Sequence, residues 1–521
     1  MGKVTFGKKW TGLAVLALLA GTLSACGGED SAKSGQTSDP SQPVTLDWLA
    51  YNSYAQPDPD SEIVKMVEKK FNAKFNIWYV DAQQRNDQLN VKFAAGEMPD
   101  VLQVHEQIPK YVANGILAEI SEEDIRKYAP TYASVIDDYG PALWNTVKYE
   151  GKIYGLPAIN LSGAYPQSLI WRQDWLDKVG INKIPETLDE FENALTKFRS
   201  DDPDENGKKD TYGMSDYALR YIMGAYGMPA DGANYVLKDG KIQFAAVQPE
   251  MKEALALLND WYNKGLIDPE FITGENTGGY WADSQAFYNN RIGLTGNGMF
   301  YHWRNEKFGD SDLGGGQYQN FKKAQPDGEI AFGVPPVGPK GQSGGPQWGV
   351  NSVPLGITPK AAKDPRKVQT ILAMLETSFT DYDYYINVYR GKEGVDWKKL
   401  EDGSIVAIED PNDNNASFKR GAQVFNMMEN PEFGKKASER LYKFGDSVKT
   451  KGYPPVIVPA VDSLSQYSGN LTKLQQETYT KIIIGEQPVD AFDTFVKTFM
   501  DNGGSEVEKD VNEAYQQMTG Q

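Results

Sequence analysis

From about Val44 onward, apolar and polar positions switch between a period of two and a period near 3.6. Val44 to Tyr51 reads as a strand, and Asp60 to Phe71 places Ile63, Val64, Val67 and Phe71 on one helical face. Lys74 to Val80 is predicted as a second strand, Gln84 to Ala95 as a helix halted by Gly96 and Pro99, and Asp100 to His105 as a third strand. A further helix ends at Asn114-Gly115. This β-α-β-α-β order predicts a parallel sheet covered by helices.

A second alternating stretch begins with a strand from Ser168 to Arg172 and a helix from Asp174 to Val179, stopped at Gly180. Thr187 and Glu190 have the spacing of a capping box that opens a helix running to Arg199. Glu250 to Lys264 is an amphipathic helix ended by Gly265, and the tail is helical over Ala491 to Met500 and Ser505 to Met518. Fixed-period repeats and heptads are absent from the sequence. Some 480 residues beyond Val44 suit two or more lobes better than one ordinary domain. Pockets in open α/β sheets lie beyond the carboxyl ends of strands, so a ligand is expected between two such lobes.

The first 43 residues break this pattern. Lys3, Lys8 and Lys9 precede an apolar run from Leu13 to Leu23, too short to span a bilayer and suited to a signal peptide. Leu23-Ser24-Ala25-Cys26 ends it with the chain's one cysteine and resembles the lipobox of bacterial lipoproteins. That resemblance implies cleavage after residue 25 and a diacylglycerol on Cys26; a plain secretory peptide with a stray cysteine is the alternative. Residues 26–43 carry no large apolar side chain and read as a flexible tether.

Charge narrows the partners. The formal charge is −18, and removing residues 1–25 takes away three lysines and no acid, leaving −21. So acidic a body does not favour nucleic acid or an anionic membrane face, and membrane contact is expected through the lipid anchor only. With one cysteine and two histidines, the sequence holds no Cys–His pair, H-E-x-x-H motif or zinc cluster. Gly341-Gln342-Ser343-Gly344-Gly345 matches a nucleophile elbow in letters alone, because it follows prolines and both histidines come earlier in the chain. The chain is therefore not expected to be an enzyme.

Several segments resemble a known family. Phe93-Ala94-Ala95-Gly96-Glu97-Met98-Pro99-Asp100-Val101, Gly151-Lys152-Ile153-Tyr154-Gly155-Leu156-Pro157, Trp171 to Gly180 with the P-x-T-x-x-E-F that follows, Tyr389 to Trp397, and Ile482 to Phe495 are similar to motifs of extracellular solute-binding proteins (family 1) of carbohydrate ABC importers. The branch is the one of large lipoproteins that includes alginate-binding proteins. Their order, spread over nearly all of the chain behind a lipobox, carries the likeness. It implies an α/β, two-lobed periplasmic-binding-protein-like fold of the class II type, with the ligand cleft between the lobes. It further implies capture of an oligosaccharide, a uronic-acid-containing one included, by hinge closure. Delivery would be to permease subunits with a separate ATPase, by a monomer at the extracellular face of a cell without an outer membrane. The N-terminal lobe is expected from 44–160 with about 290–345, and the C-terminal lobe from 161–289 with about 346–521. The rival readings are a surface-anchored polysaccharide-degrading enzyme and an adhesin-like carbohydrate-binding lipoprotein.

Asp202, Asp204, Asn206, Lys208 through its carbonyl, and Asp210, with Gly207 at the sixth place, follow the first part of an EF-hand loop; the twelfth place is Gly213, where a bidentate Glu is expected. By spacing alone a solvated acidic turn serves as well. Similar loops in the alginate-binding relatives imply a structural calcium. For sugar contact, aromatic faces and hydroxyl-reading polar groups at strand ends are the candidates. These are Tyr51, Asn52, His105, Glu106, Arg172, Trp281, Asn297, Tyr301, Trp303, Arg304, Trp348 and Arg390, with core packing the competing role for each.

Overall fold

Strand Val44–Leu49 turns Val44, Leu46 and Trp48 into a core that also takes Ile63, Val64 and Val67 of helix Glu62–Phe71. Ser61 caps that helix by accepting from the Val64 N–H at 3.4 Å, and Asn72 ends it in the left-handed region, φ 46°. The structure, a computed structural model, describes residues 42–49, 55–81, 84–229, 235–272, 281–309, 312–408, 413 and 415–519. Cys26, Tyr51 and Asn52 lie outside these residues, and all that follows concerns the unit Pro43–Gln521.

The first sheet has the order Ala73–Trp78, Val44–Leu49, Val101–Gln103, Asn351–Ile357, Leu156–Ile159. Its first three strands are parallel, with Val44 opposite Ala73 and Trp48 opposite Val101. Asn351–Ile357 runs antiparallel to both of its neighbours, so the sheet is mixed and not wholly parallel. Helix Pro365–Thr380 adds Ile371, Leu372, Met374 and Leu375 to this core.

The second sheet has the order Ile330–Phe332, Ile170–Arg172, Ile292–Thr295, Tyr212–Met214. Its core gathers Trp171, Trp175, Phe191 and Phe198 with Leu255 and Leu258 of helix Pro249–Asn263. The tail helices Asp462–Ile483 and Ala491–Phe499 complete it. Thr187 forms the expected capping box: its hydroxyl accepts from the Glu190 N–H at 3.2 Å, and Glu190 accepts in return from the Thr187 N–H at 3.1 Å.

Two expected lobe assignments are exchanged. Ile292–Thr295, placed with the N-terminal stretch, pairs antiparallel with Ile170–Arg172 and parallel with Tyr212–Met214 in the second sheet. Asn351–Ile357, placed with the C-terminal stretch, lies inside the first sheet. Both strands are apolar enough to enter either core; side-chain shape decides. Gly293 fits because Phe198 and Trp175 fill the space where its side chain would be, a Cβ there coming within 2.3 Å of Phe198.

Three segments cross between the sheets, near residues 160–169, 333–350 and 449–461, and they hydrogen-bond to one another. Gln167 N–H donates to the Pro346 carbonyl at 2.8 Å, and Gly345 and Pro346 pair in parallel with Gly452 and Tyr453. The Gly349 N–H donates to the Gly163 carbonyl at 2.9 Å. A Cβ on Gly163 would sit 1.9 Å from the Gly349 oxygen, so only glycine allows the first two crossings to approach so closely.

Candidate ligand-binding groove

Among the described residues, three cavities along this junction share walls. The largest, about 620 Å³, is lined by His105, Glu106 and Thr146 from the first lobe, Tyr235 and Leu464 from the second, and Trp348 with residues 455–460 of the crossings. A central cavity of about 260 Å³ shares Asn160, Trp348 and Ser352 with it and adds Tyr301, Tyr389, Asn426 and Glu429. The third, about 450 Å³, shares Tyr389 and Gln423 with the second and adds Gln317, Asn320, Arg390, Asp396 and Arg420. Both lobes contribute to each.

The elements explain the positions. His105 and Glu106 leave the carboxyl end of strand Val101–Gln103, where α/β sheets place ligands. Trp348 lies on a crossing segment. With the Gln167 amide oriented by its network, Gln167 accepts from Trp348 Nε1 at 3.1 Å and donates to the Gly296 carbonyl at 3.2 Å. Arg390 is the last residue of helix Tyr382–Arg390, and its guanidinium lies 4.6 Å from the Tyr389 ring. Tyr389 in turn stacks on Tyr385, centroids 5.6 Å apart and planes at 18°. Glu429 Oε2 accepts from the Leu161 N–H at 2.6 Å. Burial pushes the Glu429 carboxyl above its usual range, opposed by the Leu161 N–H, Arg390 and the Tyr389 hydroxyl. The groove thus alternates flat aromatic faces with amide, carboxylate and guanidinium groups.

Of the residues singled out in the sequence, His105, Glu106, Tyr301, Trp348 and Arg390 line this groove. Four others are taken up in packing. Arg172 is 2% exposed; its Nε and Nη2 donate to Asp174 at 2.9 and 2.6 Å, Nη1 to Asn290 Oδ1 at 2.6 Å, and its plane lies 4.6 Å from the Trp175 ring. Asn297 is buried, accepting from Ser284 Oγ at 3.0 Å and, through its carbonyl, from Trp303 Nε1 at 2.7 Å. Trp303 is buried beside Phe287, centroids 5.4 Å apart. Arg304 forms a two-pronged pair with Asp312 at 2.7 and 2.8 Å. In each case a buried polar or charged group has found its partner inside the protein. Trp281 meets His302 edge-on at 4.8 Å and lines none of the three cavities.

Sequence reasoning passed over Asn160, Tyr389, Gln423, Asn426 and Glu429. Tyr389 was within a quoted motif beside Arg390. Gln423 to Glu429 sit in an irregular stretch after helix Ala416–Lys419, where no period marks them. Ser343 is no nucleophile: its hydroxyl donates to the Pro335 carbonyl at 2.8 Å, in a segment leading into strand Gly345–Pro346 with no helix after it.

The loop from Asp202 to Asp210 curls on itself. Asp202 Oδ2 accepts from the Gly207 N–H at 2.9 Å, and Asn206 Nδ2 donates to Asp204 Oδ2 at 2.7 Å and Asp210 Oδ1 at 3.1 Å. Asp202 and Asp204 each keep a buried Oδ1 without a donor. Desolvation, with Asp202 and Asp210 beside it, raises the Asp204 carboxyl above its usual range. Among the described residues no group of three or more His, Cys, Asp or Glu is set to hold a metal by such side chains alone. The Asn206 amide oxygen accepts from the Lys208 N–H at 2.8 Å, so an oxygen-ligated cation would fit here once that amide turned over and, with the Lys208 carbonyl, joined the carboxylates.

Comparison with known proteins agrees with this geometry. A family model described as bacterial extracellular solute-binding protein matches residues 62–385; it is the eighth family of these proteins, where the motifs had pointed to the first. The chain is 24% identical to lipoprotein LipO of Bacillus subtilis over 99% of both chains. It is 29% identical to the polygalacturonan/rhamnogalacturonan-binding protein YtcQ of the same organism, over 52% of this chain and 54% of that one, so it spans about half of that relative's length. Among solved structures, the Streptococcus pneumoniae ABC-transporter substrate-binding protein FusA in complex with kestose superposes with a TM-score of 0.68 at 16% identity, over 91% of this chain and 99% of that one. Alginate-binding protein AlgQ2 without calcium ion gives 0.66 at 18% identity, over 91% and 98%. An EF-hand mutant of FusA matches as well as FusA itself. No helix among the described residues is long and apolar enough to cross a membrane. The two-lobed fold, the groove between its sheets and the match over most of the folded chain lead to one conclusion: the protein belongs to the bacterial extracellular solute-binding protein family, whose task is binding and not catalysis.

Proposed function

We propose that this protein is the lipid-anchored receptor of an ABC importer, capturing an oligosaccharide in the groove and presenting it to permease subunits. The observation that carries the reading is a groove lined from both lobes in which Trp348, Tyr301 and Tyr389 stand beside Asn160, Asn426, Glu429 and Arg390. Aromatic rings stack on the apolar faces of pyranoses, and the polar groups read hydroxyls. The ligands of YtcQ, polygalacturonan and rhamnogalacturonan, and of FusA, fructooligosaccharide, support a carbohydrate. Arg390 and Arg420 in the third cavity leave room for a uronic acid carboxylate. Ligand contacts to both lobes would favour the closed arrangement and shift the population towards it.

Cys26 would carry the anchor and residues 26–43 the tether, as expected for a partner of membrane-bound permease subunits. Asp202, Asp204, Asn206, Asp210 and the Lys208 carbonyl would hold calcium, which cross-links the loop and performs no chemistry.

Thermal unfolding of residues 27–521, in calcium and after chelation, against neutral and uronic-acid oligosaccharides tests these points together. A ligand at about 100 times its Kd raises stability by about 2.7 kcal/mol. One sugar class is expected to raise Tm by several degrees without being cleaved, and chelation to lower the Tm of the free protein. A flat panel would remove the carbohydrate reading; cleavage products would favour the degrading enzyme.

A further inference from the structure

Glu429 lies outside the three crossings and reaches one of them with its side chain. Its side chain lines the central cavity, and its Oε2 accepts from the Leu161 N–H at 2.6 Å. Leu161 belongs to the first crossing, two residues before Gly163, where two crossings touch through the Gly349 to Gly163 hydrogen bond. Neighbouring Asn160 lines two of the cavities, and its N–H donates to the Val350 carbonyl of the second crossing at 2.8 Å. One carboxylate therefore touches both the space for ligand and the backbone about which the lobes must turn.

The geometry points to Glu429 as a ligand-binding residue of the central cavity, taking sugar hydroxyls with the same carboxylate that holds the first crossing at Leu161. This rests on the oligosaccharide reading above. An ionised carboxylate has about four acceptor sites. The Leu161 N–H takes one and the Tyr389 hydroxyl faces another, which leaves capacity for hydroxyl donors. Hydrogen bonds to a charged acceptor are the stronger kind, and a donor entering the cavity gains one without displacing the backbone contact. Binding would thereby stiffen the first crossing.

The groups facing Glu429 decide how this responds to pH. Arg390, Tyr389 and Tyr385 face it from helix Tyr382–Arg390, Tyr139 from the end of helix Pro130–Asp138, and Tyr442 from helix Glu439–Val448. Four of these are phenols whose own ionisation burial drives up, so they stay neutral where a carboxyl titrates. Arg390 stays charged throughout. Burial raises Glu429 above the usual carboxyl range, so it gains its proton at a higher pH than an exposed acid. A protonated carboxyl has fewer acceptor sites. Affinity should then be full above the raised pKa and fall as pH drops through it.

The test is calorimetric titration of the calcium-loaded protein with maltotriose, kestose and trigalacturonate, from about pH 8 to about pH 5. It compares the wild type with Glu429→Gln, whose amide oxygen still accepts from Leu161. The wild type should bind one sugar class with affinity that weakens towards acid. Glu429→Gln should bind it about 10- to 100-fold more weakly at pH 8, with a flatter pH profile. A wild type that binds none of the probes overturns the carbohydrate reading and this inference with it. A wild type that binds, beside a Glu429→Gln protein of equal affinity and equal pH profile, overturns the inference alone. Should Glu429→Gln unfold, the wild-type pH profile still decides: affinity independent of pH overturns the role of Glu429.

Discussion

Arg172 and Trp348, both candidates for sugar contact in the sequence, end in opposite surroundings, one enclosed and one lining the groove. Arg172 is enclosed by Asp174, Asn290 and the faces of Trp175 and Phe321, the last 5.4 Å from its guanidinium carbon. Arg172→Ala leaves Asp174 partly buried without its partner and should cost about 3 kcal/mol of stability, measured by urea unfolding. Arg172→Lys should recover only part of this, because a point charge cannot repeat the fork. Ligand affinity of the folded protein should be unchanged; a loss of affinity at full stability would make Arg172 a binding residue after all. Trp348 lines two cavities and its Nε1 donates to Gln167 of the first crossing, which would hold the ring in place for the proposed ligand. Both residues were visible in the sequence as candidates. What separates them is the company each keeps in space, which adjacent residues do not reveal: Asn290 lies 118 positions from Arg172, and Gln167 lies 181 from Trp348.

At the scale of elements, local rules were reliable wherever the interactions were local. The capping box at Thr187 and the helix stop at Gly265 rest on contacts within a few residues. Thr187→Ala should remove about 1 kcal/mol from the stability of the protein, seen in its urea midpoint with an unchanged slope. A shift below a few tenths of that would mean that the helix is held by Phe191, Ala194, Leu195 and Phe198 in the core and not by its cap. The oxygen-rich turn at 202–210 was also legible, because its donors lie within nine residues. The central cavity was not: Asn160, Tyr389, Gln423, Asn426 and Glu429 come from three separate stretches and carry no shared spacing.

For the molecule as a whole, the proposed closure on a ligand would turn about the three hydrogen-bonded crossings. X-ray scattering should report a smaller radius of gyration when a stabilising sugar is added, at constant molecular mass. An unchanged radius with tight binding would indicate that the groove is already in its closed form. Gly163→Ala should blunt the change, since its methyl group would collide with the Gly349 carbonyl, 1.9 Å away.

Periodicity and punctuation along the chain were sufficient for the α/β class, most helix starts and stops, the acidic surface and the expectation of two lobes with a groove. Each depends on neighbours in sequence or on composition alone. Tertiary structure decided which sheet received each late strand, since all four residues of Ile292–Thr295 are buried and fit an apolar core on either side. It also decided which polar side chains lined the groove and which were taken up by partners inside the protein. The reason is physical: hydrophobic burial is non-directional and reads only as a pattern, whereas strand partnership and polar satisfaction are set by shape and by which partners the folded chain brings within reach.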